Sequence, residues 1–88
     1  METHVLTFTI TKLFSEWAKG YDASAPFQKA AGITSLYRGV STENPNKVMV
    51  IHQAAPGVAT KLLEDNKEMI ESAGHIWSST QITTYNAS

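Results

Sequence analysis

The segment Lys47-Val-Met-Val-Ile-His-Gln-Ala54 constrains the fold more than any other part of this sequence. Its β-branched and apolar run, set between Thr42-Glu-Asn-Pro-Asn46 and Pro56, reads as a strand. Along a strand successive side chains point to opposite faces, so Val48 and Val50 share one side and Met49 and Ile51 the other. A strand that is apolar on both sides is covered on both. Any fold for this chain must supply two covers.

The remaining segments supply one. Residues 4–11, His-Val-Leu-Thr-Phe-Thr-Ile-Thr, alternate with period two, placing Leu6, Phe8 and Ile10 on one face and Val5, Thr7, Thr9 and Thr11 on the other. Residues 12–22 change to helical spacing, with Phe14, Trp17, Ala18 and Tyr21 in one stripe and Thr11 placed to cap it. Asp22-Ala-Ser-Ala-Pro26 interrupts that stripe, Phe27, Ala30 and Ala31 resume it, and Gly32 ends it. A proline there predicts a kinked helix or two short helices in series. Residues 33–41 form a second strand, joined to the third by the turn at 42–46. Pro56 opens a helix expected to run to Ala73, with Val58, Leu62, Leu63, Met69 and Ile70 inward and Glu64, Asp65, Lys67, Glu68 and Glu71 in solvent. Gly74 ends it, and residues 75–85 make the last strand.

The order β-α-β-β-α-β with a tight central hairpin predicts a ferredoxin-like α+β fold over residues 1–88, a single domain. Its four-stranded antiparallel sheet has the order 4-1-3-2, with both helices on one face. Two helices cover only that face. The second cover for strand 3 is then a second copy of the chain, and a homodimer through the open sheet face is expected.

Composition narrows the function classes. Seven Lys and Arg against eight Asp and Glu leave a net charge of −1, with no basic stripe to displace counterions from nucleic acid. There is no cysteine, which removes disulfides and thiolate chemistry. No apolar run approaches the ~20 residues needed to cross a bilayer, and the start of the chain lacks the pattern of a signal peptide. A cytoplasmic, soluble protein without membrane, metal or cofactor is the expectation.

The candidate catalytic residues are His52, Arg38 and Tyr37. His52 lies near the end of the doubly covered strand, where a neutral imidazole can serve as base or hydrogen-bonding group. Pairing Thr42 with Lys47 puts Tyr37 opposite His52 and Arg38 opposite Ile51; a loop one residue longer or shorter puts Arg38 on the face of His52. Gly39 is expected to mark a bulge. Trp77, Thr7, Thr9 and Tyr85 are the candidate ligand-binding residues, and Tyr37, Arg38, His52 and Trp77 are expected to come together. His4 is expected at a sheet end, partly exposed, and His75 solvated or bonded to backbone. Trp17 belongs to the core.

The layout resembles the dimeric α+β-barrel superfamily, which includes antibiotic-biosynthesis-type monooxygenases, stress-responsive barrel proteins and heme-degrading monooxygenases. More narrowly, Leu36-Tyr-Arg-Gly-Val-Ser41, Val50-Ile-His-Gln-Ala54 and Gly74-His-Ile-Trp77 resemble a small family of marine cyanobacteria that carries no assigned function. The wider resemblance implies two sheets packed into a barrel and a small-molecule cavity. It argues against heme chemistry, because Thr7 and Thr9 stand where the heme-degrading branch uses asparagine. Because the sequence carries no catalytic constellation, a dimeric ligand-binding or regulatory domain is the expected function; a cofactor-independent monooxygenase or isomerase using His52 with Tyr37 or Arg38 is the alternative, and a structural interaction dimer the third reading.

Overall fold

A computed structural model describes residues 1–86. The elements run β1 (Glu2–Ile10), α1 (Phe14–Ala23), α2 (Ala25–Ala30), β2 (Thr34–Val40), β3 (Lys47–Ala54), α3 (Val58–Asp65), α4 (Lys67–Ser72) and β4 (His75–Asn86). The strands form one antiparallel sheet in the order β2-β3-β1-β4, the ferredoxin-like topology expected from the element order. The two most apolar strands, β1 and β3, are central. Among the described residues no helix is long and apolar enough to cross a membrane.

The alternation in β1 becomes a burial pattern. Leu6, Phe8 and Ile10 pack with Val48 and Val50 of β3 and with Trp17 and Ala18 of α1. A second cluster at the other end joins Ile33, Ala54 and Ala59. These residues lie beneath the helices, whereas Val5, Thr7, Thr9, Met49 and Ile51 face the open side and stay partly exposed. Trp17 is in the core, as its place on the helical stripe requires.

Both helical segments are broken. The first divides at Ser24, and Pro26 falls in the opening turn of α2, where its missing N–H costs nothing. It also starts later than the sequence suggests: Leu13, not Thr11, occupies the capping position and makes no side-chain cap bond. The second segment is not one helix from Pro56 to Ala73. It begins after Gly57 and breaks at Asn66, whose backbone leaves the helical region (φ −116°, ψ 19°) and whose Nδ2 donates to the Leu62 carbonyl. Asparagine competes for helix backbone bonds in this way, and the apolar periodicity carries no mark of it.

The β2–β3 register differs by one residue from the Thr42–Lys47 pairing. The Ser41 N–H donates to the Lys47 carbonyl. Tyr37 therefore lies opposite Ile51 and Arg38 opposite Val50, so Arg38 takes the helix-covered face and Tyr37 the open one. The irregularity sits at Leu36, between the pairs Ser35–His52 and Tyr37–Ile51, and not at Gly39. Gly39 pairs regularly with Met49 and leaves room for the Tyr37 ring, whose hydroxyl lies where a Cβ at 39 would stand. An aromatic laid across a strand glycine covers backbone that the glycine exposes.

Candidate functional site

Because both helical segments are broken, they do not seal the sheet they cover. A cavity of about 220 Å³ remains between them. Leu6, Phe8, Val50 and His52 make its floor, Trp17 and Tyr21 of α1 one wall, and Leu62 and Leu63 of α3 the other. Phe27 of α2 and Met69 of α4 border it while remaining more than half exposed, which places the mouth between those two short helices. None of the lining residues is Asp, Glu, Lys or Arg. The polar groups present are Tyr21, Ser24, Gln28, His52, Asn66 and His75.

His52 is the polar group on the floor. It is only 6% exposed, and its Nε2 has no hydrogen-bond partner among the described residues. Burial, assisted by the nearby His4, pulls its pKa down from 6.5 to about 4, so the ring is neutral at physiological pH. An unpartnered buried nitrogen costs on the order of 1–3 kcal/mol, the cost of desolvation without a compensating bond.

The register puts His52 into a polar row that crosses all four strands on the covered face. Ser35 of β2 is opposite His52, His52 is opposite His4 of β1, and His4 is opposite Thr84 of β4. At the β2 end the Tyr21 hydroxyl and Ser35 Oγ are 2.7 Å apart. At the other end His4 Nδ1 meets Thr84 Oγ1 at 3.2 Å, while Glu2 Oε1 lies 3.5 Å from His4 Nε2. The two imidazole centroids are 5.1 Å apart, with the rings tilted by 54°. Both ends of the row are bonded, while the Nε2 atoms of both His4 and His52 have no hydrogen-bond partner among the described residues. Glu2 belongs to the next row, opposite Ala54 and Asn86, and among the described residues no three His, Asp or Glu side chains gather as a metal site.

His4 is 4% exposed, not the partly exposed strand end expected from its position. It shares the phase of Leu6, Phe8 and Ile10, and that parity was the signal that could have placed it. His75 is likewise buried and not solvated: its ring stacks on Phe8 at 3.9 Å, and its Nε2 meets Thr80 Oγ1 at 2.6 Å. Burial takes its pKa to about 4 as well. The Thr80 contact depends on an irregularity in β4. Between the pairs Thr9–Ile76 and Thr7–Gln81, β4 takes five steps where β1 takes two. Ser79 fills the gap, its Oγ accepting from the Thr9 N–H and donating to the Ile76 carbonyl.

The other candidates from the sequence do not join His52. Tyr37, Thr7, Thr9 and Tyr85 belong to the open face, because the parity of β1 and the one-residue register shift put them there. Arg38 shares the face of His52 but is engaged elsewhere. Its Nε and a terminal nitrogen donate to the two Asp22 carboxylate oxygens at 2.8 Å each, and the guanidinium lies 5.7 Å from the Phe14 ring centre. That hydrogen bond holds the Asp22 carboxyl below its usual range. The pair fastens α1 to the edge strand. Trp77 sits outside the cavity beside α4, with the Lys67 ammonium 5.3 Å from its ring centre. Tyr21 and His4, which sequence periodicity assigns only to a helical stripe and a strand end, are the residues that surround His52 instead.

Sheet order, helix placement and the cavity between them define a ferredoxin-like α+β domain with an apolar interior site. The chain belongs to the family described as Domain of unknown function (DUF3764), whose model matches residues 1–87. No curated protein matches it. In structure it is similar to three proteins named as candidate antibiotic biosynthesis monooxygenases. The one from Bordetella bronchiseptica is 9% identical, with a TM-score of 0.70 over 99% of this chain and 96% of that one. The Deinococcus radiodurans protein is 13% identical, with a TM-score of 0.60 over 100% and 93%. The Nitrosomonas europaea protein is 8% identical, with a TM-score of 0.59 over 99% and 98%. At such identities the likeness establishes a shared fold, the one the sequence resemblance implied.

Proposed function

We propose that this chain is a small-molecule-binding domain that works as a homodimer and holds an uncharged, largely apolar ligand between its helices and its sheet. The observation that carries this reading is the cavity: about 220 Å³, free of charged side chains, with one unpartnered imidazole nitrogen on its floor residue. An engineered apolar cavity of ~150 Å³ takes up benzene, so this volume suits a molecule of one or two fused rings. His52 on the floor and Tyr21 on the α1 wall are polar side chains that such a ligand would meet. The dimer rests on a separate feature, the open face with Met49, Ile51, Tyr37 and Tyr85, which a second copy would cover.

A second reading, oxygenation or isomerisation of the bound molecule without a cofactor, draws on the names of the three structural neighbours and on the buried His52. It is the weaker of the two. A base with pKa about 4 has little driving force to remove a proton near pH 7, and neither Arg38 nor Tyr37 lines the cavity beside it. Calorimetric titration with 2-naphthol separates these readings. Binding without turnover in air supports the binding domain, and oxygen consumption that disappears in His52→Phe supports the enzyme. No heat and no oxygen uptake with a panel of one- and two-ring phenols would remove both.

A further inference from the structure

Each of the two helix breaks brings a carboxamide to the cavity. We propose, resting on the binding-domain reading, that Gln28 and Asn66 are the residues that select its ligand. Their carbonyl oxygens favour a neutral ring compound carrying an N–H or O–H donor over one of the same shape without it.

The other polar groups of the lining are committed elsewhere. The unpartnered Nε2 of His52 is buried within the protein, out of a ligand's reach. The Tyr21 hydroxyl shares a hydrogen bond with Ser35 Oγ, and His75 Nε2 shares one with Thr80 Oγ1. That leaves the side chains at the breaks, Ser24 and Gln28 in the first helical segment and Asn66 in the second.

At the first break Ser24 closes α1 and opens α2. Its hydroxyl donates to the Tyr21 carbonyl at 2.6 Å, a partner that can only accept. The single hydroxyl proton is then spent, so Ser24 Oγ is an acceptor for Gln28, whose Nε2 donates to it at 2.8 Å. The carboxamide is held with its nitrogen toward Ser24 and its oxygen turned away. Asn66, which closes α3 and opens α4, repeats the device: its Nδ2 donates at 2.8 Å to the Leu62 carbonyl, again a group that only accepts. Both anchors lie in the last turn of the preceding helix, so each break fixes the orientation of one amide.

Gln28 and Asn66 are half-buried in the cavity lining, close in sequence to the mouth residues Phe27 and Met69. Neither carboxamide oxygen has a hydrogen-bond partner among the described residues. Neither is sealed off, because the buried unpartnered side-chain atoms there are the Nε2 atoms of His4 and His52. The two oxygens are therefore accessible acceptors. A donor on the ligand replaces the water bond such an oxygen gives up; a ligand of the same shape without the donor displaces that water and returns nothing. A carboxylate would meet these oxygens with no Lys or Arg in the lining to balance it.

Indole and benzofuran test this, since they match in shape and differ by one N–H replaced with oxygen. In NMR titrations of the full ¹⁵N-labelled chain, wild type should bind indole about 5-fold tighter than benzofuran. Gln28→Met and Asn66→Met should each lower that ratio, and the double variant should abolish it. The ratio is the measure because a cavity loosened by substitution weakens both probes alike. Gln28→Met keeps the test available if Asn66→Met rejoins α3 to α4 and reshapes the cavity. A purely structural role for the carboxamides would leave the ratio unchanged in the variants, and that result overturns the proposal. Equal affinities in wild type overturn it too, while leaving the binding-domain reading intact. Wild type that binds neither probe would remove both.

Discussion

At the residue scale this protein is governed by three histidines held on the dry face of a sheet. His52 and His75 both have pKa values lowered to about 4, the first by burial and His4, the second by burial alone. In an unfolded chain each would titrate near 6.5, so below that pH the unfolded state binds protons that the folded state refuses. Their contribution to stability is therefore complete above about pH 6.5 and is lost as the pH falls toward 4. A shift of this size corresponds to on the order of 3 kcal/mol for each ring. Urea unfolding should show a midpoint that drops steeply between pH 7 and 4.5. His75→Phe keeps the stack on Phe8 and removes one of the two buried bases, so it should flatten that pH dependence by about half. A midpoint independent of pH in wild type would contradict the buried neutral rings. The sequence carried part of this: the alternation that set Leu6, Phe8 and Ile10 inward also sets His4 inward. What it could not carry was the pairing with His52, which joins residues 48 positions apart through a strand register.

At the element scale, turn chemistry decides where each segment stops. Gly74 links α4 to β4 with φ of 103°, a conformation that a side chain strains, and a Cβ there would stand 3.1 Å from both Lys12 Cγ and Thr11 Oγ1. Gly74→Ala should lower stability by about 1–3 kcal/mol, since the strain adds to the crowding. Thermal unfolding would register this as a drop of several degrees for a chain of this size. A melting temperature unchanged by the substitution would mean the loop relaxes freely. Element order and approximate bounds were legible because periodicity and glycine placement are local. The break at Asn66 and the irregularity at Leu36 were not. Each follows from one side-chain-to-backbone bond or a one-residue pairing choice, and several alternatives of nearly equal local energy fit the same letters.

At the scale of the whole molecule, two sheet faces have different fates. The helices enclose one and leave a cavity in it, and the other presents Tyr37, Met49, Ile51 and Tyr85 outward. If a second copy covers that face, sedimentation velocity at about 10 μM should find a dimer. Ile51→Lys, which puts an ammonium at the centre of the face without touching the helix-side core, should convert it to a monomer that still binds the cavity probe. A monomeric wild type would end the two-fold model. The requirement for two covers was readable from Val48, Met49, Val50 and Ile51 alone, because period two sends neighbours to opposite sides whatever else the chain does. Topology came in the same way, from the order of periods. The site did not. Tyr37 and Arg38 exchange faces on a one-residue change of register, and that register was selected by the full set of ladder bonds and the burial they permit. The cavity lies between two broken helical segments; the break before Pro26 was readable from the sequence, and the one at Asn66 was not. Local pattern therefore determined which segments are strands and helices and which faces are apolar. Tertiary structure alone decided that Tyr21, His4 and Ser35 gather around His52, since those neighbours come from three elements that only the packed sheet brings into one row.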